Sequence, residues 1–559
     1  MTLPGPTLKT SLCILALTIM IMLFWRGFND PDEGRYSEIP REMVTSGNWL
    51  EMRMLGYRYY EKPPLSYWLV APAISIFGAK DWAVRIPLGI NLLLIAAVFY
   101  GVTRRFWPRN TTILASFVML SSVGFLAGLG LLLTDAFLVL WFALTCFCLF
   151  LGFRPDAPPA RRWLWILAAG AFAALGFLTK GAIAIVLPGA ITVLWLIWEK
   201  RWKALWTLSL PGGLLVFLAI VAPVLVLIEH YNPGFFKQFV IEEHFARFTG
   251  TRRMQAHPEP FWFFIPITPL LLLPWSLFLV RAVRTVFKNP TLRRDTLSRF
   301  YLVWAGVVLV FFSISTGKLM SYILPAIPPL LLLLGRWGIA EPQDGTVTDR
   351  RLWRLGAWGL FLLLAGLAGA WLIAYFQVIP SKVYPITGIS LLAFIPAAAA
   401  LIFWWRQRTL FSMSSLASIA ATLLLAVAVL LSPLAGKDFN VLLHINSSHV
   451  YKRLAAELKP GDQIIVFWGY RPALMFYTGH LYTPFQDHNE LLYGMEIEPN
   501  RPHDLETTDE VRQRVAACPG RLFALVEPKD WHKKFIPLGL RYEETQLPRD
   551  PDTIILRLK

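Results

Sequence analysis

The chain has 559 residues, of which 56% are hydrophobic and 16% charged, and its formal net charge is +17. Soluble domains carry about 25% charged residues, so a soluble globular protein is excluded, and apolar runs near the ~20 residues needed to cross a bilayer recur along the chain. In a polytopic membrane protein, Lys and Arg gathered in cytoplasmic loops account for the positive charge; membrane lipid is then the expected partner, and nucleic acid is not.

The first apolar run, about residues 8–28, has no small-residue cleavage site and reads as an uncleaved first span. "DPDEGRYSEIPREMVTSGNW" follows at 30–49. Asp32 is placed to cap a helix running to about Ser46, with Gly47 as its stop. Asp32, Arg35, Tyr36, Ile39 and Met43 then share one helix face. A charged helix joined to a span can lie flat on a membrane surface. Next, "YRYYEKPPLSYW" (57–68) sets Glu61 and Lys62 among aromatics, ahead of Pro63 and Pro64, which break a helix and fix the entry angle of the next segment. The bland alternatives are a solvated acidic face and an interfacial aromatic belt with a surface ion pair.

Further spans fall near 85–103, 111–128, 131–152, 163–179, 181–198, 205–228, 261–281, 299–315, 320–337, 354–376, 384–404 and 411–431, giving about thirteen with the first. The turns at "LGLL" and "TKG" are nearly loopless, which predicts helical hairpins. With the N-terminus inside, every inside loop is basic, from Arg104, Arg105 and Arg109 to Arg406 and Arg408. Residues 28–84, 229–260 and the tail then lie outside.

The non-basic polar peculiarities gather on that outer side. Asp135 sits in "GLLLTDAFLVLW", where a carboxylate is costly and a functional role is the default expectation; it could instead reach water or cap the helix with Thr134. "FLTKG" places Lys180, and "SISTGKLMSY" places Lys318 and Tyr322, at outer helix ends, where a snorkelling lysine is the bland reading. "IEEHFARFTGTRRMQAHPEPFW" (241–262) supplies His244, Arg247 and His257. One His with one carboxylate (Asp30, Asp32 or Glu61) suffices for an open metal site completed by phosphate or water.

From about 433 the chain turns polar. "QIIVFW", "RLFALVE" and "TIILRL" are predicted strands and "SSHVYKRLAAEL" a predicted helix, a small α/β domain outside the membrane. The expected division is a membrane domain over 1–432, with juxtamembrane helices in the first outer loop (28–84), and the α/β domain over 433–559. Cys13, Cys146, Cys148 and Cys518 form no disulfide framework or zinc-finger spacing.

Acids, a candidate metal site and several cations on one face suit a lipid-linked phosphate: Lys and Arg hold the anion while a carboxylate assists the acceptor. No series of ionisable residues runs through the spans, which fits a channel or pump poorly.

The run "PDEGRYSEIPREMVTSGNWL", "GYRYYEKPPLSYW", "FGAKDWAVRIP", "FLTKG", "EHFARF", "HPEPFWFFIP", "STGKLMSYILP" resembles the bacterial aminoarabinose transferases of lipid A. These stand with the protein O-mannosyltransferases among the polyprenyl-phosphate-dependent GT-C glycosyltransferases. The likeness covers most of residues 25–330. It implies a GT-C membrane fold with a C-terminal periplasmic α/β domain, in the bacterial inner membrane. It implies transfer of 4-amino-4-deoxy-L-arabinose from undecaprenyl phosphate to a lipid A phosphate on the periplasmic face, and with it resistance to polymyxin and other cationic peptides. By the same resemblance Asp32 matches an essential acid. Glu61 and His244 match ligands of a divalent metal, zinc, with His257 a second candidate. Lys62, Arg247 and Tyr322 match or neighbour the holders of the carrier phosphate, and Tyr36, Tyr59, Asp135 and Lys180 match other cavity residues. Arg35 and Lys318 join the substrate-binding set, and Asp135 is paired with Asp32 as a catalytic acid. The competing expectations are a related transferase with another sugar or acceptor, such as a protein mannosyltransferase, and a transporter of lipid-linked sugars.

Overall fold

Six helices among the described residues are long and apolar enough to cross a bilayer: Ala83–Phe106, Thr134–Gly152, Pro159–Lys180, Ser209–Tyr231, Thr296–Ile314 and Met320–Ile339. The computed structural model describes residues 27–28, 30–246, 258–288, 295–339, 347–356, 358–359, 448–486, 491–498, 505–545 and 553–559. The side chains of residues 243–246, 449, 492 and 493 are outside that description. The predicted spans at 384–404 and 411–431, and most of 8–28 and 354–376, also lie outside it.

Two predicted spans are not single straight helices. The stretch expected at 261–281 is the pair Phe264–Leu271 and Trp275–Lys288, bent by 106°. The bend falls at Pro274, which has no N–H to continue a helix. The stretch expected at 111–128 runs as a helix only over Arg109–Leu120. There Ser121 Oγ donates to the Phe117 carbonyl (2.6 Å) and Ser122 Oγ to that of Met119 (3.0 Å), so hydroxyls compete with the backbone ladder. A wider turn, Gly124–Gly128, comes next. The two breaks meet, because the Val123 N–H donates to the Leu273 carbonyl at 2.8 Å. The stretch expected at 181–198 is the shorter helix Ile183–Trp198, and Leu65–Phe77 is a further short apolar helix opening at Pro64.

The helical hairpin expected at "TKG" is present: one helix ends at Lys180, Gly181 turns with φ 109°, and the next begins at Ile183. Close helix packing is set by small residues. A Cβ on Gly170 would lie 2.1 Å from the Gly213 carbonyl oxygen, so Pro159–Lys180 and the start of Ser209–Tyr231 touch backbone to backbone. Elsewhere in these helices, Phe99, Phe147, Tyr301 and Trp304 pack with ring centroids 5.0–6.4 Å apart.

The described residues divide into two compact units. The first comes from 88–226 and 240–430 and carries most of the long helices. The second joins 24–87, 227–239 and 431–559. In the second unit, helix α1 (Asp32–Ser46) is followed by a two-residue hairpin, β1 (Arg53–Met54) against β2 (Tyr57–Arg58), and helix α2 (Leu65–Phe77). The tail folds into a five-stranded sheet ordered β4-β3-β5-β7-β6, with β3 Gln463–Phe467, β4 Thr483–Phe485, β5 Leu522–Val526, β6 Tyr542–Glu544 and β7 Ile554–Leu558. β4, β3 and β5 run parallel, while β7 and β6 are antiparallel additions. The three predicted strands are β3, β5 and β7, and the predicted helix is Ser448–Glu457. Ile465, Phe467, Phe485, Leu522, Val526, Phe535 and Leu556 form the core of this sheet. Full burial of such side chains stabilises by about 1.5–3 kcal/mol each.

Within the second unit, helix α3 (Pro472–Thr478) of the tail packs on α1. A Cβ on Gly34 would fall 2.3 Å from Asp30 Oδ1 and 2.4 Å from the Ala473 nitrogen. The glycine of "DEGRY" is therefore a contact glycine. Glu498 of the tail also holds the β1–β2 hairpin, accepting from Arg53 at 3.2 Å and from the Arg58 N–H at 3.1 Å.

Candidate active site

Helix α1 starts and stops where the sequence places it, and Gly47 ends it in the left-handed region at φ 69°. Its first turn differs from expectation. Pro31 is the N-cap and Asp32 makes no capping hydrogen bond. Its carboxylate instead pairs with the Arg35 guanidinium, one turn along the same face. The Asp32 side chain is half exposed, whereas Arg35 is buried with its guanidinium 5.0 Å from the Tyr36 ring centroid. Tyr36 in turn stacks on Tyr67 of α2 at 6.1 Å and 25°. The face read from the sequence is thus a cation clamped between an outward acid and an aromatic wall.

Glu61 and Lys62 come after the hairpin. The Tyr59 hydroxyl donates to Glu61 Oε2 at 3.2 Å, and Lys62 Nζ is 3.7 Å from the same oxygen. Burial pushes the Tyr59 hydroxyl well up, with the Arg35 charge opposing. Arg35, Tyr36, Tyr59, Glu61 and Lys62 therefore stand in one unit with Asp32 at its edge.

Two acids of α1 were not singled out in the sequence. Glu33 pairs with Arg85 Nη2 at 3.2 Å, and both are fully buried. Glu38 takes a bidentate bond from Arg41 at 2.6 Å, yet burial pushes its carboxyl up to about 7. Asp30, a spare carboxylate in the sequence reading, accepts from the Ala473 N–H at 3.0 Å. Burial pushes it up to about 7, against the lowering effects of that bond and of Arg471. The Glu38–Arg41 pair has ordinary i,i+3 helix spacing, whereas spacing signals neither of the other two roles, since the partners of Asp30 and Glu33 are remote in the chain.

The other unit brings together three more expected residues. Asp135, in the first turn of its helix, is buried and pairs with Lys180 at the end of the next. Asp135 neither caps the helix nor lies open to water. Ser321 Oγ donates to its second oxygen at 3.2 Å, and Lys180 Nζ lies 4.6 Å from the Tyr322 ring centroid. Ser321 was missed, being an ordinary polar residue in an apolar run. Lys318 is set apart from this cluster in its bonding: its ammonium donates to the carbonyls of Glu259 (2.7 Å) and Ser315 (2.5 Å).

Arg247 and His257 lie outside the described residues, as does the side chain of His244. Among the described residues no three of His, Cys, Asp and Glu come together as a metal cage. Glu61 is the one described member of the expected zinc pair, and its Oε2 already faces the Tyr59 hydroxyl and Lys62.

Chemically, each cluster by itself offers a cation braced by an acid, a combination that can hold an anionic group. The fold is that of a multi-pass membrane protein of the GT-C type, close to ArnT from Cupriavidus metallidurans bound to undecaprenyl phosphate: TM-score 0.77, 23% identity, covering 98% of this chain and 97% of that one. The family model for dolichyl-phosphate-mannose-protein mannosyltransferase matches residues 61–227. The undecaprenyl phosphate-alpha-4-amino-4-deoxy-L-arabinose arabinosyl transferase of Erwinia tasmaniensis is 30% identical over 390 residues, 70% of this chain and 69% of the relative. The chain belongs to that family of arabinosyl transferases. Similarly named relatives from Sodalis glossinidius (34% identity, 58% of this chain) and Pseudomonas fluorescens (33%, 65% of this chain) are matched over 58% and 64% of their own lengths.

Proposed function

We propose that the protein transfers 4-amino-4-deoxy-L-arabinose from undecaprenyl phosphate to a phosphate of lipid A, on the periplasmic face of the inner membrane. The observation that carries this reading is the Asp135–Lys180 pair with Tyr322 beneath the ammonium, a partly buried cation braced by a buried acid at a helix end of a membrane protein. A lysine ammonium in that setting favours an anion.

In the reaction an oxygen of the acceptor phosphate attacks the anomeric carbon. The bond from that carbon to the carrier phosphate oxygen breaks, and undecaprenyl phosphate leaves with the negative charge. Phosphate monoesters are largely dianionic at neutral pH, with a second pKa of about 6, so such an acceptor needs no base. Asp32 then acts by orienting Arg35 and the incoming group, and Lys180, Lys62 and Arg247 are the cations that receive the leaving charge. Tyr36, Tyr59 and Tyr322 are the aromatic walls, and Lys318 a further cation at an outer turn.

The finer architecture belongs to the same proposal: about thirteen spans, an N-terminus inside, and the 28–84 loop and the 433–559 domain in the periplasm. The basic inside loops support it. A zinc ion held by Glu61 and His244, or by Glu61 and His257, is proposed from the sequence resemblance, and no step above passes through it. When bound it would supply positive charge at a phosphate. Metal analysis of purified protein against Glu61→Gln checks it: equal zinc content in both removes Glu61 as a ligand.

The deciding experiment is the mass of lipid A from cells with and without the protein. An added aminoarabinose mass supports the reading. Unmodified lipid A together with a glycosylated protein would favour the mannosyltransferase alternative, which the family model over residues 61–227 keeps in view.

A further inference from the structure

Two buried tyrosine hydroxyls of the second unit have no hydrogen-bond partner among the described residues. Tyr67, in α2, is fully buried, and its hydroxyl oxygen makes no hydrogen bond to any described residue. Tyr470, in the tail between β3 and α3, has a buried hydroxyl in the same condition. Both sit by α1: Tyr67 stacks on Tyr36, whose ring lies against the Arg35 guanidinium, and Tyr470 comes three residues before Ala473, whose N–H meets Asp30 at the start of that helix. Both belong to the same compact unit. A buried hydroxyl without a partner destabilises the fold, and such groups are retained where a ligand or water completes them.

Their placement is also rigid. The Arg471 N–H donates to the Tyr482 hydroxyl at 3.0 Å, and its guanidinium bonds Glu527 at 2.8 Å. The Ala473 N–H is held by Asp30. The segment that carries Tyr470 is therefore fixed through residues just C-terminal to it. Tyr67 is fixed by its stack on Tyr36. Such bracing is what a recognition site requires.

The chemistry of the two hydroxyls selects the ligand. A tyrosine hydroxyl both donates and accepts, which matches a sugar hydroxyl or amine. An ionised phosphate only accepts, so it would leave the lone pairs of both hydroxyls unfilled, whereas a sugar hydroxyl or amine can fill them. We propose that Tyr67 and Tyr470 hydrogen-bond the polar groups of the transferred sugar and so read its identity, which makes the C-terminal segment a part of the donor site. This rests on the reading of the protein as a transferase of a carrier-linked sugar.

The test titrates the full-length protein in nanodiscs with undecaprenyl phosphate and, separately, with the aminoarabinose-bearing carrier. The parent should favour the sugar-bearing form. Tyr67→Phe and Tyr470→Phe, which keep the rings, should each cut that advantage by roughly 2- to 12-fold and leave affinity for the bare carrier unchanged. The double variant should abolish most of it. The proposal is overturned if the advantage survives the double variant, if the parent shows none, or if the Phe variants lose bare-carrier binding equally, which would mark the hydroxyls as structural. Transfer to lipid A is assayed in the same preparation. Its absence in the parent defeats the functional reading, while the binding comparison still decides the tyrosine pair.

Discussion

Asp32 and Asp30 stand two residues apart and are treated oppositely by the fold. Asp32 is half exposed, and an Asn in its place keeps a side-chain oxygen that can accept from the buried Arg35 guanidinium. Asp32→Asn is expected to abolish transfer while leaving expression and the melting temperature near those of the parent; near-normal turnover by well-folded Asp32→Asn would defeat its assignment. Asp30 is buried, and its carboxyl is raised from 3.8 to about 7. A group raised on folding adds stability below its unfolded value that is lost as pH climbs through the folded one. The parent should therefore lose stability between about pH 4 and pH 7. Asp30→Asn keeps an acceptor for the Ala473 N–H and should remove its share of that loss, with Glu38, also raised to about 7, supplying the rest. Melting temperatures of both proteins across this range provide the check, and parallel profiles would remove Asp30 as the cause. The sequence made the acidic helix legible to within a residue, but not the fate of each acid. Asp32 looked like a cap because it opens a helix. Pro31 takes that position, and Arg35, one turn on, captures the carboxylate.

At the scale of elements, hydropathy located the runs and local chemistry decided their shape. The breaks after Leu120 and at Pro274 lie inside apolar stretches that averaging over a window reads as continuous. Ser121, Ser122 and Pro274 were the visible signals, and each is also tolerated in unbroken membrane helices, so the sequence alone left the outcome open. The tail was easier. β3 and β5 are short unbroken apolar runs and β7 nearly so, as strands covered on both faces should be, whereas β4 and β6 have three residues each and too little pattern to notice. The helix contact at Gly170 yields a direct prediction. Gly170→Leu places a side chain where the Gly213 carbonyl already stands, and the two helices must separate. Overpacking of this kind costs typically about 1–3 kcal/mol. A lowered melting temperature and reduced yield of monodisperse protein are expected, while Gly189→Leu, whose Cβ direction is open, should behave as the parent. Equal stability of the two variants would argue against the close contact.

For the whole molecule, orientation rests on charge asymmetry, a rule about loops that needs no contact between residues. It gives a direct labelling experiment. In a cysteine-free background, Asp509→Cys lies in the tail on a largely exposed side chain, and Arg109→Cys on an exposed position in a basic loop. A membrane-impermeant maleimide added to spheroplasts should modify the first and spare the second until the membrane is permeabilised. The reverse pattern would invert the topology and move the tail to the cytoplasm. What no reading of segments could supply is the association of the first loop with the tail as one compact unit, because their members are separated by some of the longest apolar helices in the chain.

Gly34 shows what that association implies for descent. Its missing side chain leaves room for a backbone nitrogen 439 positions later, so a motif near the start of the chain is constrained by a helix near its end. Loop and tail should then be inherited as a matched set. A hybrid given a relative's tail alone would bring a foreign surface against "DEGRY" and should assemble poorly. One that also receives the relative's residues corresponding to 27–87 should recover, even though the exchanged pieces lie at opposite ends of the gene.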